Sequence, residues 1–294
     1  MEEQISQSRW GPGDEIGALN LITASQILGA ANLVRKGKVY NLSHILEMGI
    51  PSPSFHGPLL YSTYRRTHDP GPLAGGKNDP RGMNLRIETA DHMGTHIDGL
   101  NHMAIGDTLY NGISSSEIIG THGTTKLGIE KVEGIVGRGI LVDIAKMKGI
   151  PMLDDQHVIT RDEIEKSLAS NHLQLSRGDI VLLRTGWTNL WMVDNDRYLR
   201  SCPGIGKEAS EWLVRKEVSI VGADCWNVEV APAEDPEEIC PCHQILITRN
   251  GVRLIENLVL DDLSRDQLKE FLFVCTPLRI KGGCGSPVSP LAIA

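Results

Sequence analysis

Aromatic side chains are scarce: Phe, Trp and Tyr together make up 4% of the 294 residues. A core with so few large rings must be assembled from aliphatic side chains. A hydrophobic content of 40% suffices for that in a chain of this length. Positive charge is also short, with 29 Lys and Arg against 37 Asp and Glu, a net charge of −8. Nucleic acid and anionic membrane surfaces both demand a basic footprint, so neither is expected as a partner. Apolar runs stop at strand length, as in 139–144 and 179–183, far short of the ~20 residues of a membrane-spanning helix. The opening Met1-Glu-Glu-Gln-Ile-Ser6 has neither the basic nor the apolar stretch of a secretory leader. Cysteine is confined to positions 202, 225, 240, 242, 275 and 284, and the expectation is reduced thiols in a cytoplasmic protein. The sequence also lacks a G-x-S-x-G elbow, a P-loop and a dinucleotide fingerprint, so serine catalysis and nucleotide chemistry lose their usual supports.

What the chain does have is an alternation of helix and strand signals. Thr23-Ala-Ser-Gln26 and Thr160-Arg-Asp-Glu163 are capping boxes, opening helices predicted to reach Val34 and about Ser170. Met83, Leu85, Ile87 and Thr89 alternate with polar residues, which predicts a half-buried strand. Further strands are predicted over 39–43, 139–145, 179–185, 218–222, 252–256 and 271–280. A helical stripe runs through Ile205, Ala209, Trp212, Leu213 and Lys216, a short helix lies near 242–247, and Ser264 is expected to cap a last one. Pro and Gly gather in 51–58 and 70–82, which read as surface loops and pocket walls. Alternation of this kind predicts one α/β domain, with some strands antiparallel.

The chemistry concentrates in Asp91-His-Met-Gly-Thr-His-Ile-Asp-Gly-Leu-Asn-His102, which holds three of the ten histidines. Imidazole and carboxylate are the usual ligands of zinc and similar divalent ions. In an extended segment His96 and Asp98 project from the same face, and Gly94 lets the backbone turn to bring in His92. Thr95 is expected to fix a ring tautomer. His102 lies past a glycine-containing turn, where it can stand over the metal as acid or base. Distant candidates to complete the site are His243 and Glu256, the latter costly among apolar neighbours unless it is paired or ligates a cation. Cys240-Pro-Cys242-His243 offers a competing reading, a structural zinc knuckle in a metal-stabilised binding module, although closed sites need four ligands. Trp187, Trp191 and Trp226 are candidates to line a pocket for a planar substrate, His56 could reach that substrate, and Glu229 is read as a further substrate contact, or else as near the metal or solvated.

His92-Met-Gly-Thr-His96-Ile-Asp98-x-x-x-His102 resembles the HxGTHxDxPxH signature of the cyclase family, which includes bacterial kynurenine formamidases, isatin hydrolases and related metal-dependent amidohydrolases. The likeness extends to Asn41–His44, the strand 178–187, the stretch 218–224, His243 to Glu256 and 276–287. Trp10–Asn20 is similar to an N-terminal extension of longer members. The resemblance implies a swivelling β/β/α fold over 38–294, with residues 1–37 as an extension packing on it, assembled as a homo-oligomer, dimer or tetramer. It implies that His92, His96 and Asp98 bind the catalytic metal. Asp98 would bridge to a second ion held by His243 and Glu256, with His102 as the general acid/base. The cofactor expected is a divalent metal, zinc or manganese, one or two ions per subunit. The reaction implied is hydrolysis of an amide, cyclic imide, lactam or lactone bond in a small molecule, with arylformamidase proper as the alternative. One departure stands out: the proline of the signature is Leu100 here.

Overall fold

The computed structural model describes residues 7–69 and 76–294. Its spine is a nine-stranded mixed sheet. In spatial order the strands are Val39–Asn41, Leu291–Ile293, Glu270–Cys275, Ile135–Asp143, Ile180–Arg184, Ile220–Ala223, Arg253–Glu256, His96–Asp98 and Gly285–Pro287. The four from Ile135–Asp143 to Arg253–Glu256 run parallel to one another, and both flanks are antiparallel.

The parallel strands read as unbroken apolar runs because both of their faces are covered. Side-chain alternation splits them into two cores. Ile140, Val142, Val181, Leu183, Val221, Ala223 and Leu254 join one core, with Ile164 and Leu168 of helix Arg161–Ser170 and Ala209, Trp212 and Leu213 of helix Lys207–Arg215. Leu141, Ile180, Leu182, Ile220, Ile255 and Ile97 join the other, with Leu42, Leu260, Phe271, Phe273 and Ala292. The turn Gly17–Leu21 buries Ala18 and Leu21 in the first core, and the Ala18 N–H donates to the Gly251 carbonyl at 2.8 Å. Among the described residues no helix is long and apolar enough to cross a membrane. All six cysteines are free.

Several elements differ from the sequence expectation. The first helix, Ala24–Ala31, stops short of Val34, because Leu33 and Val34 turn their N–H groups to the Ala30 and Ala31 carbonyls in tighter turns. Ser264 lies in the last turn of helix Asp261–Arg265 and does not cap it. The strand expected to reach Ile280 ends at Cys275, since Pro277 has no N–H for the ladder. Residues 83–89 do form a strand, Asn84–Glu88, but it is exposed throughout. Among the described residues it pairs only with Leu60–Arg65, in a two-stranded ribbon that no other described layer covers. The expected loop over 70–82 lies partly outside the described residues.

Candidate metal centre

His96 and Asp98 are the ends of a three-residue strand, and Ile97 between them points into the opposite core. The strand is held antiparallel on both sides. Glu256 lies directly across from His96, and Gly285 directly across from Asp98. His96, Asp98 and Glu256 therefore share the helix-side face, where the helix opened by Pro241–His243 brings in His243. His92 arrives from the preceding turn, where Gly94 at φ +60° doubles the chain back. The sheet edge passes close to its ring: a Cβ on Gly285 would stand 2.7 Å from His92 Nε2.

These five side chains converge and are buried, none more than 6% exposed. His92 Nε2 lies 3.4 Å from Asp98 Oδ1, and His96 Nε2 lies 3.8 Å from the same oxygen. Asp98 Oδ2 lies 3.9 Å from His243 Nε2. Glu256 Oε2 and Oε1 stand 3.3 and 3.5 Å from His96 Nε2 and His243 Nε2. Such separations suit neighbouring donors on ions bound at ~2.0–2.2 Å. His92 Nε2 and both Asp98 carboxylate oxygens are buried without a hydrogen-bond partner. A sealed carboxylate with no donor is costly unless a cation offsets it, so this donor set fits a divalent metal. Asp98 turns one oxygen towards His92 and His96 and the other towards His243.

Each of the three imidazoles has its other nitrogen engaged. His92 Nδ1 donates to Asp91 Oδ1 at 3.0 Å, His96 Nδ1 to the Gly94 carbonyl at 2.8 Å, and His243 Nδ1 to Glu229 Oε1. That bonding leaves Nε2 of every ring facing the centre. Asp91 Oδ2 in turn accepts the N–H groups of Cys284 and Gly285, tying the His92 turn to the sheet edge. Arg253 Nη1 donates to the Asp98 carbonyl. Against the cost of burial, the neighbouring Asp91 and Asp98 carboxylates hold His92 up at about 10.

His102 follows a turn in which its N–H donates to the Gly99 carbonyl at 3.2 Å. Leu100, in place of the signature proline, is 0% exposed and fastens that turn by burial. The His102 ring centroid is 4.1 Å from that of His92 and 6.2 Å from that of His243. Burial, joined by the neighbouring imidazoles, pushes His102 down to about 4 against the pull of Asp98. Beside these rings lies a cavity of about 180 Å³ lined by Pro51, Phe55, His56, Trp226 and Asn257, with no Lys or Arg among the described residues of its wall.

Four expectations about this centre need correction. Trp187 is fully buried in the helix-side core with Nε1 donating to the Tyr198 carbonyl, so it does not face a substrate. Glu229, 1% exposed, does not face the cavity either. It accepts the N–H groups of Cys242 and His243 as well as the His243 ring, and so starts the helix and aims its histidine. Thr95 fixes no ring, because its hydroxyl donates to the Asn257 carbonyl and accepts the His44 N–H. His56 does line the cavity, its ring 5.3 Å from His92 and nearly parallel at 12°. The zinc knuckle does not form, since Cys242 turns its thiol to the Ile205 carbonyl and only Cys240 gathers with His243. Asp91 and Asn257, whose amide donates to the Gly94 carbonyl, were not expected to take part. The one available signal was their position, each adjacent in sequence to a candidate ligand.

Comparison with known proteins agrees with this fold. The isatin hydrolase of Roseibium aggregatum is 26% identical over 208 residues, spanning 69% of this chain and 72% of that protein. Cyclase-like protein 3 of Oryza sativa subsp. japonica is 24% identical over 259 residues, 87% of this chain and 80% of that one. A crystal structure described as a novel cyclase is 32% identical, with a TM-score of 0.88 over 97% of this chain and 98% of its own. An isatin hydrolase bound to the product analogue thioisatinate shares the fold at 21% identity, with a TM-score of 0.67 over 92% of this chain and 99% of its own. Residues 40–230 match the family model described as a putative cyclase, a stretch that contains His92, His96, Asp98 and His102, and the chain belongs to the cyclase family.

Proposed function

We propose that this protein is a metal-dependent hydrolase that opens an amide, cyclic imide, lactam or lactone bond in a small, uncharged, planar molecule. The carrying observation is the set of buried, unpartnered donors, His92 Nε2 and both Asp98 oxygens, beside a closed array of imidazoles and Glu256. The isatin hydrolase relative supports the reaction class. His92, His96 and Asp98 would hold one divalent ion, zinc or manganese, and His243 and Glu256 with Asp98 a second. Such an ion, when bound, acidifies water and polarises a carbonyl oxygen.

The chain's own residues would do the rest. His102, neutral near pH 7, takes a proton from the attacking water and returns it to the leaving nitrogen or oxygen. Asp91 and Glu229 keep His92 and His243 in one tautomer and orientation. Phe55, His56 and Trp226 offer flat surfaces to a ring system. The described wall carries no Lys or Arg to neutralise a phosphate or a second carboxylate, and the cavity is smaller than the ~300 Å³ at which drug-sized pockets begin. Both features favour a compact neutral substrate over an anionic one.

The test is a hydrolysis screen over N-formyl anilides, cyclic imides and lactones, with metal content measured on the same preparation. His102→Ala is expected to keep its metal and lose about 10²–10⁴-fold in turnover. His96→Ala is expected to lose metal and activity together. Full activity in His102→Ala would remove the proposed acid/base, and a protein that neither contains nor responds to a divalent metal would remove the whole reading.

A further inference from the structure

None of these roles uses the thiol of Cys284, although it stands at the centre's edge. The residue immediately precedes the strand Gly285–Pro287 and is half-buried. Asp91 Oδ2 accepts its backbone N–H at 3.0 Å and its thiol at 3.2 Å, which fixes the sulfur in place. The sulfur, one nitrogen of His92 and one nitrogen of His102 all lie within 4.8 Å of one another. A second observation points to a ligand there: His92 Nε2 is buried and unpartnered. Two imidazoles and a sulfur form a softer donor set than the neighbouring one, which includes the Asp98 and Glu256 carboxylates. Thiolate favours zinc and its heavier congeners, whereas manganese and magnesium prefer oxygen.

We infer that His92, His102 and Cys284 form an alternative site for a thiophilic divalent cation, such as zinc in excess or cadmium. Entry of the ion replaces the S–H bond by a metal–sulfur bond and releases one proton to solvent. Asp91 Oδ2 keeps its two backbone donors, so the sheet edge need not move. His92 has a single free nitrogen, so this site competes with full occupancy of the His92–His96–Asp98 position. Because it also captures His102, a thiophilic ion would inhibit. That consequence, unlike the binding itself, rests on the role proposed for His102.

The experiment adds cadmium to the protein as purified and reads the thiolate-to-cadmium charge-transfer absorption in the ultraviolet. The wild type should show this band, Cys284→Ser and Cys284→Ala should lack it, and Cys240→Ser should keep it. Circular dichroism checks that each variant is folded, and two replacements guard against failure of either one. Manganese added at the same concentration should produce no such band. In a parallel assay, cadmium inhibition of turnover should weaken at least about tenfold in Cys284→Ser. A band that persists in both Cys284 variants, or that vanishes in Cys240→Ser, overturns the site. The spectroscopic arm needs no substrate, so it would still decide the site if the proposed hydrolytic activity were wrong.

Discussion

At the scale of single residues, the centre is built from pairs, each imidazole with a partner that aims it. Glu229 shows how much rests on such a partner, since it holds the ring of His243 and two backbone N–H groups at once. Glu229→Gln keeps the volume and an accepting oxygen but removes the charge. Metal affinity, measured by competition with a chelator of known strength, should fall roughly 10–100-fold. Unchanged affinity would reduce Glu229 to a helix-starting residue. His92, His96, Asp98, His243 and Glu256, which the structure brings together, were candidates by residue type, and the first three also by spacing. Trp187 was misread and Glu229 left undecided because type alone does not say which way a side chain faces. Burial decides that, and burial is set by strands and helices distant in the chain.

At the scale of elements, legibility followed length. The capping box at Thr160–Glu163 and the apolar runs of the parallel strands each carry several concordant signals, and both appear close to where the sequence placed them. The strands His96–Asp98, Gly285–Pro287 and Leu291–Ile293 have three residues each, too few for a periodicity to register. The ribbon strand Asn84–Glu88 misled in the other direction, because its alternation describes a face that stays exposed.

One element boundary also carries a pH dependence. Asp179, buried just before the strand Ile180–Arg184, accepts the Ser176 N–H and pairs with Arg138 at 3.2 Å. Burial nonetheless pushes its carboxyl up to about 6. A carboxyl raised on folding binds its proton more readily in the native state, so its contribution to stability grows as pH falls from about 6 towards 4. The stability of the wild type relative to Asp179→Asn should therefore rise across that interval, by at most about 3 kcal/mol. Denaturant unfolding of both proteins at pH 7 and pH 4.5 checks it, and a constant difference would refute it.

At the scale of the whole molecule, two aliphatic cores lie back to back across the sheet, and neither draws on the candidate metal donors. A chelator should therefore abolish turnover while leaving far-ultraviolet circular dichroism native at 25 °C. The melting temperature should drop by roughly 5–15 °C, as expected for losing a ligand worth about 4 kcal/mol. Unfolding at 25 °C on chelation would mean that the ion is structural.

The pairing of His96 with Glu256 has a consequence beyond chemistry. Because side chains alternate, a slip of one residue between these strands would present Ile97 to the helix side and send the histidine and aspartate into the opposite core. Only the correct alignment assembles a set of donors able to capture an ion. An ion bound there would thus act as a proofreading latch on the closing of the sheet, favouring chains whose seam has zipped in register over those one step out.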